Sequence, residues 1–333
     1  MCGAGGPSLK TGLGVHLYTA NASMGKTAFY NSDGDFLIVP QQGTLEIRTE
    51  MGRLRVAPHE ICVIPRGIRY SVDVQGPSRG YICELFQGHF ELPNLGPIGA
   101  NGLANARDFL YPVADYVDED EEWQLFNKYG GNMYTTTVKH CPFNVVAWHG
   151  NYAPYKYNLD NFNCMNSVTY DHPDPSIYTV LTAPTDTPGV AACDFVIFPP
   201  RWMVMNKTFR PPYYHRNCMS EYMGMVYGKY DAKVGFVPGG SSLHSCMTPH
   251  GPDAATFYKA SGEELNPVHF DKGLAFMFES TYMLKLTQSA LEAPERDLEY
   301  YKCWQQLPKV FDPTKREVIV EVPAAAAEGA AGK

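Results

Sequence analysis

The stretch at residues 34–74, GDFLIVPQQGTLEIRTEMGRLRVAPHEICVIPRGIRYSVDV, most restricts the folds open to this chain. Phe36–Val39 is a short apolar run, and in Thr44–Thr49 the apolar Leu45 and Ile47 alternate with polar neighbours. Leu54 and Val56 flank Arg55, and Ile61–Ile64 forms a further apolar run that ends at Pro65. Gly43, Gly52, Pro58 and Gly67 interrupt these runs at turn spacing. Segments this short, turned this often, predict an antiparallel barrel or a double-sheet jelly roll.

A second strand-rich block runs from about Tyr170 to Phe278, with Ile177–Leu181, Phe195–Phe198, Tyr222–Tyr227 and Ala275–Phe278 as its apolar runs. The two blocks read as diverged copies of one barrel. Counts of 30 Gly, 26 Pro and 22 Tyr favour many short strands over helices. Between the blocks, around Asn101–Gln124, the acids Asp118 to Glu122 read as a solvated loop. Residues 282–307 have a more helical composition, broken near Pro294. The closing VPAAAAEGAAGK is low-complexity and reads as a flexible tail.

Composition narrows the classes of function. A chain of 333 residues that is 44% hydrophobic can build a sizeable core. The net charge is −8 and no Lys/Arg block stands out, so nucleic acid and anionic membrane are poor partners. Nine cysteines without a C-x-x-C pair read as reduced thiols of a cytosolic protein. No apolar run has the length to cross a bilayer, and MCGAGGPSLK lacks the regions of a secretory signal. A soluble, cytoplasmic protein is expected.

The richest chemistry lies in FRPPYYHRNCMSEYMG, residues 209–224, and SLHSCMTPHGPD, residues 242–253, which supply His215, Glu221, His244 and His250. Two imidazoles and one carboxylate on one side of an ion leave its other positions open for substrate and O2. His215 and Glu221 are six positions apart. In a strand that is roughly 20 Å, and in a helix roughly 9 Å of rise with the side chains on different faces. Ligand bonds of about 2 Å span neither, so a shared ion requires the chain to double back at Arg216–Ser220, where Asn217 and Ser220 suit a turn. His250, between Pro249 and Gly251, suits a barrel mouth. Spacing alone leaves three readings open: an iron site, a zinc site without the H-E-x-x-H signature, and a chance cluster in a chain with ten histidines.

The surrounding text resembles the homogentisate 1,2-dioxygenase family. FYNSDGDFLIVPQ, GPIGANGLAN, PFNVVAWHGNY, DHPDPS, DFVIFPPRW, FRPPYYHRNCMSE and MTPHGPD carry the likeness, which runs from about Gly12 to Pro313. The resemblance implies a mainly β fold of two jelly-roll (cupin) barrels with a short helical C-terminal region. It implies a truncated, metal-free N-terminal barrel with linker over 1–125, a catalytic barrel over 126–313 and a flexible tail over 314–333. The family's chains begin well upstream, so the first barrel is expected to be incomplete at its N-terminus. Its barrel end carries Arg69 and Tyr70 rather than histidines.

By the same resemblance, His215, Glu221 and His250 hold Fe(II), His172 is the acid–base residue, and Tyr230, Lys233 and His250 touch the substrate. The implied reaction takes homogentisate and O2 to maleylacetoacetate in tyrosine and phenylalanine breakdown. The implied partners are that aromatic small molecule, O2 and further copies of the chain in a trimer or hexamer. Two alternatives stand beside it: a catalytically inert bicupin serving as a binding or scaffold protein, and a cupin dioxygenase for another phenol. Without the family, His172 would read as a turn residue and Lys233 as a surface lysine. His149 reads as structural, and His244 as a support for a ligand or for its loop. Cys218 and Cys246 read as packing, since thiolates favour softer ions.

Overall fold

A computed structural model describes residues 1–94, 103–164, 175–203, 214–309 and 312–314. Its main body is three β-sheets stacked as layers. The outer sheet orders its six strands as Asn132–Val138, Trp123–Tyr129, Thr27–Asn31, Tyr70–Val74, Leu45–Thr49 and Gly52–Val56. The central sheet has eight, in the order Phe109–Leu110, Tyr155–Asn158, Glu60–Ile64, Asp35–Gln42, Ser78–Leu85, Thr11–Ala20, Cys2–Gly6 and Lys285–Leu286. The third sheet orders Thr179–Pro184, Ala191–Phe198, Gly273–Ser280, Ser220–Gly228 and Ser241–His244. A ribbon pairs Arg201–Trp202 with His269–Phe270. Pairing is antiparallel except between Trp123–Tyr129 and Thr27–Asn31.

The sequence pattern follows from these layers. Successive side chains of a strand point to opposite faces, so a strand covered on both faces reads as an unbroken apolar run. In Glu60–Ile64, Ile61 and Val63 enter the core shared with the third sheet, while Cys62 and Ile64 enter the core shared with the outer sheet. Leu37 and Val39 make the same choice against Ile38. In the outer sheet Leu45 and Ile47 are buried and Glu46 and Arg48 are not, which is the alternation of a strand covered on one face. Tyr70 packs into that outer core edge-on to Phe29.

A division after residue 125 would cut Trp123–Tyr129, whose whole length pairs with Asn132–Val138 and which also runs beside Thr27–Asn31. Tyr155–Asn158 then joins Glu60–Ile64 of the central sheet, so the N-terminal layers continue through Asn158. Residues 282–307 hold the short helical pieces expected there, a four-residue helix, Gln288–Leu291, and a 3-10 turn, Tyr300–Trp304. Pro294 breaks the segment, and Lys285–Leu286 is drawn instead into pairing with Cys2 and Gly3. The longest helix among the described residues, Ala254–Gly262, starts where the Asp253 carboxylate accepts from the Thr256 N–H at 2.7 Å. The acids from Asp118 to Glu122 lie outside any element, mostly exposed, and Glu121 pairs with Lys26. No helix of the described residues is long and apolar enough to cross a membrane.

Candidate metal centre

The third sheet presents one face to the central sheet and the other to a cavity of about 780 Å³. Strand Ser220–Gly228 shows the division. Tyr222 goes to the core, and Gly224 leaves room for Phe276 and Tyr81; Glu221 and Met223 line the cavity. Glu221 sits at the start of that strand, between His244 on one neighbour and Glu279 on the other.

His215 reaches the same place from a separate segment. It forms an isolated antiparallel bridge with His250, with His215 N–H donating to the His250 carbonyl at 2.8 Å and the reverse bond at 2.9 Å. Between His215 and Glu221 the chain turns. The Asn217 side-chain oxygen accepts the Met219 N–H at 3.0 Å, and the Asn217 carbonyl accepts the Met247 N–H at 2.8 Å. One ligand atom each from His215, Glu221 and His250 then lie within 4.8 Å of one another, the only such group among the described residues. Glu221 and His250 are buried.

The electrostatics suit a cation. Burial pushes the Glu221 carboxyl up. Hydrogen bonds from His244 and His250, the charge of His250 and the Asn217 amide outweigh that, and hold it well below the usual carboxylate range. It is therefore ionised. Burial pulls the His250 imidazole down, but Glu221 and the Thr248 carbonyl together raise it above its ordinary value. His250 Nδ1 donates to the Thr248 carbonyl at 2.9 Å, which leaves Nε2, 3.0 Å from Glu221 Oε2, turned toward the carboxylate. A divalent ion bound there would displace the shared proton and would be held by both groups. The donor set thus fits a metal.

Around this cluster stand the other expected residues. Tyr230 lines the cavity between Phe198 and Phe236, and burial raises its hydroxyl well above the ordinary range, so it stays protonated. Lys233 also lines it, with its ammonium 3.2 Å from the centre of the Tyr300 ring. Burial lowers its pKa, with Cys303 and the acids Asp297 and Asp253 opposing. His244 Nδ1 meets Glu221 Oε2 at 3.3 Å, and burial lowers its pKa, so it is neutral. His172 lies outside the described residues. His149 borders a different cavity, of about 720 Å³, away from the cluster. Cys218 is exposed, and the Cys246 thiol donates to the Cys218 carbonyl.

Sequence reasoning passed over Asn217 as more than a turn residue, and over Glu279, Arg201 and Tyr300 altogether. Asn217 Nδ2 donates to Glu221 Oε1 at 2.8 Å and also to Glu279. The four-residue spacing from Asn217 to Glu221 was the one local signal available. Arg201, buried, also lines the cavity, against Tyr178, Phe198 and Phe270, and pairs with Asp231 at 3.2 Å.

Fold and site together define a mainly β, layered-sheet protein with a two-histidine, one-carboxylate cluster opening into a cavity. A family model described as homogentisate 1,2-dioxygenase N-terminal matches residues 1–159, and its C-terminal counterpart matches residues 160–311. The homogentisate 1,2-dioxygenase of Dictyostelium discoideum is 61% identical over 310 residues, 92% of this chain and 72% of that protein. Those of Homo sapiens and Oryza sativa are 58% and 59% identical, over 95% and 93% of this chain and 72% and 67% of theirs. The chain belongs to the homogentisate 1,2-dioxygenase family.

Proposed function

We propose that this chain opens the ring of homogentisate with O2, giving maleylacetoacetate, at an Fe(II) ion held by His215, Glu221 and His250. The observation that carries the reading is the convergence of those three ligand atoms within 4.8 Å beside a cavity large enough for a substituted phenol. Zinc has no redox chemistry to offer O2, whereas iron in such a donor set does. When bound, Fe(II) would supply the redox chemistry toward O2 and the charge stabilisation that the phenol's reaction needs.

The chain's own residues supply the rest. Ionised Glu221 sets the charge at the centre, and the Thr248 carbonyl keeps Nε2 of His250 aimed inward. His250 also borders the substrate. Protonated Tyr230 donates a hydrogen bond to it, and the Lys233 ammonium faces its acetate, selecting rings that carry that side chain. His172 takes the phenolic proton, an imidazole being able to do so near neutral pH.

Anaerobic loading with Fe(II), followed by homogentisate and air, tests this directly. Stoichiometric O2 uptake and the absorbance of a ring-opened product are expected, with no turnover by the Zn(II)-loaded protein. Failure of the iron-loaded chain to turn over homogentisate, or a clear preference for gentisate or catechol, sinks the reading. We further place the reaction in tyrosine and phenylalanine breakdown, in the cytoplasm, performed by a trimer or a pair of trimers. Light scattering gives the assembly mass.

A further inference from the structure

We propose that Tyr300 is a positioning residue for the metal centre, acting through His244 on the ligand Glu221. The proposal rests on the metal-site reading above. Tyr300 belongs to the 3-10 turn Tyr300–Trp304, a segment far from the ligands in sequence and outside the sheets that carry them. Its hydroxyl lies 2.7 Å from His244 Nε2, and the other nitrogen of that ring, Nδ1, lies 3.3 Å from Glu221 Oε2. A carboxylate serving as a metal ligand only accepts, so Nδ1, the ring nitrogen facing it, carries the proton and donates to Glu221. Nε2 is then a bare lone pair, and the Tyr300 O–H donates to it. The chain of donors Tyr300 → His244 → Glu221 admits one tautomer of His244 and one orientation of its ring.

The ring is also held from its faces. It stacks on His250 at 4.2 Å between centroids, and lies nearly parallel to the Tyr300 ring at 6.1 Å. The turn itself is fastened to the centre: Trp304 Nε1–H donates at 3.0 Å to the carbonyl of Gly251, next to His250, and Trp304 packs edge-on to Tyr300. Tyr300 therefore couples the C-terminal segment to one ligand by its hydroxyl and borders the cavity with its ring, where the Lys233 ammonium rests.

Hydroxyl and ring are separable. Tyr300→Phe keeps the ring, its contact with Lys233 and its packing on Trp304, and removes only the donor to His244. Fe(II) affinity, measured by competition with a chelator, is expected to fall 10–100-fold, the range seen when a partner of a ligand is lost. The thermal midpoint of the metal-free protein and the KM for homogentisate are expected to hold. The loss must also disappear in a His244→Ala background, because there the hydroxyl has nothing to orient; this cycle stays informative if Tyr300→Phe costs some stability. The visible spectrum of the Co(II)-loaded protein, which reports ligand geometry, is expected to change in Tyr300→Phe.

Equal affinities and spectra for wild type and Tyr300→Phe overturn the proposal alone. So does a loss of the same size in the His244→Ala background, which would make Tyr300 a structural residue only. A wild-type chain that takes up no Fe(II) overturns the metal-site reading and this proposal together.

Discussion

Asn217 never has to reach an ion to decide how well one is held. Its side-chain oxygen closes the turn between two proposed ligands, and its amide donates to Glu221 and Glu279. Those two carboxylates stand directly opposite each other on paired strands, where like charges repel. Asn217→Ala removes the turn and the amide together. We expect metal affinity or turnover to fall 10–100-fold, with a larger loss for Asn217→Asp, which adds a third carboxylate. Metal content of the purified variants and their kcat check both. At this scale the sequence was partly legible. His215, Glu221 and His250 stood out by residue type, and the six-residue gap demanded a turn that the chain makes. What lay hidden are partners far apart along the chain: 56 positions separate His244 from Tyr300, and 62 separate Asn217 from Glu279. No local pattern reports such pairs, and spacing alone could not distinguish His244 from a ligand.

At the scale of elements, the short strands of residues 34–74 were readable because glycine and proline mark both ends and the apolar period is two. Segment 282–307 was readable as helical pieces broken near Pro294, but not their shortness, since few of its side chains are buried to extend them. How the outer sheet is fastened to the central one was likewise invisible. Lys128, on Trp123–Tyr129, pairs with Glu84 of the central sheet at 2.6 Å and with Asp33 at 2.9 Å. Burial works against the charges of Glu84 and Asp33. Hydrogen bonds from Lys128, joined by His16 and Asn31 at Glu84 and by the Gly131 and Gly130 amides at Asp33, outweigh it and lower both carboxyls. Burial likewise lowers Lys128, yet the two carboxylates raise it overall.

The pH dependence follows by linkage. Stability added by Glu84 and Asp33 is complete above their ordinary values of 4.5 and 3.8, and is lost as the pH falls through the lower folded values. That added by Lys128 is complete below 10.5 and is lost as the pH rises past its folded value. Lys128→Met removes the one lysine ammonium that two buried carboxylates share, leaving them only their weaker remaining hydrogen bonds, and is expected to cost about 3 kcal/mol at pH 7. The variant's deficit against wild type should shrink below pH 4, where protonation relieves the two acids that have lost their cation; urea titrations at both pH values measure it. A steric test belongs to the third sheet. A Cβ on Gly224 would lie 2.3 Å from the Phe276 ring and 3.1 Å from Tyr81. Gly224→Ala is expected to cost about 1–3 kcal/mol, seen as a lower urea midpoint.

At the scale of the whole molecule, the family models divide the chain at 159/160 while the physical core does not. One apolar cluster contains Leu13, Val39, Tyr81 and Leu85 of the central sheet with Val180, Phe195, Tyr222 and Phe276 of the third. Polar ties cross the same boundary. The Tyr81 hydroxyl donates to the Gly240 carbonyl at 2.8 Å, and the Gln41 amide to the Val226 carbonyl at 3.0 Å. The thiols of Cys83 and Cys193 meet there, fully buried, at 3.8 Å. Leu286 closes the arrangement by pairing with Cys2. Separating the two parts would bare one face of each sheet, a loss that short strands cannot sustain alone. The chain should therefore unfold as one unit. Trp123 sits in the outer layers and Trp304 beside the proposed metal centre, so they report opposite ends of the fold. In variants keeping only one of these tryptophans as the fluorescent probe, the urea transitions should coincide with each other and with the loss of circular dichroism. Tyr81→Phe should move both by the same amount, about 1 kcal/mol for a lost buried hydrogen bond. Transitions that separate, with Trp304 responding before Trp123, would show instead that the third sheet is an independent unit resting on the other two.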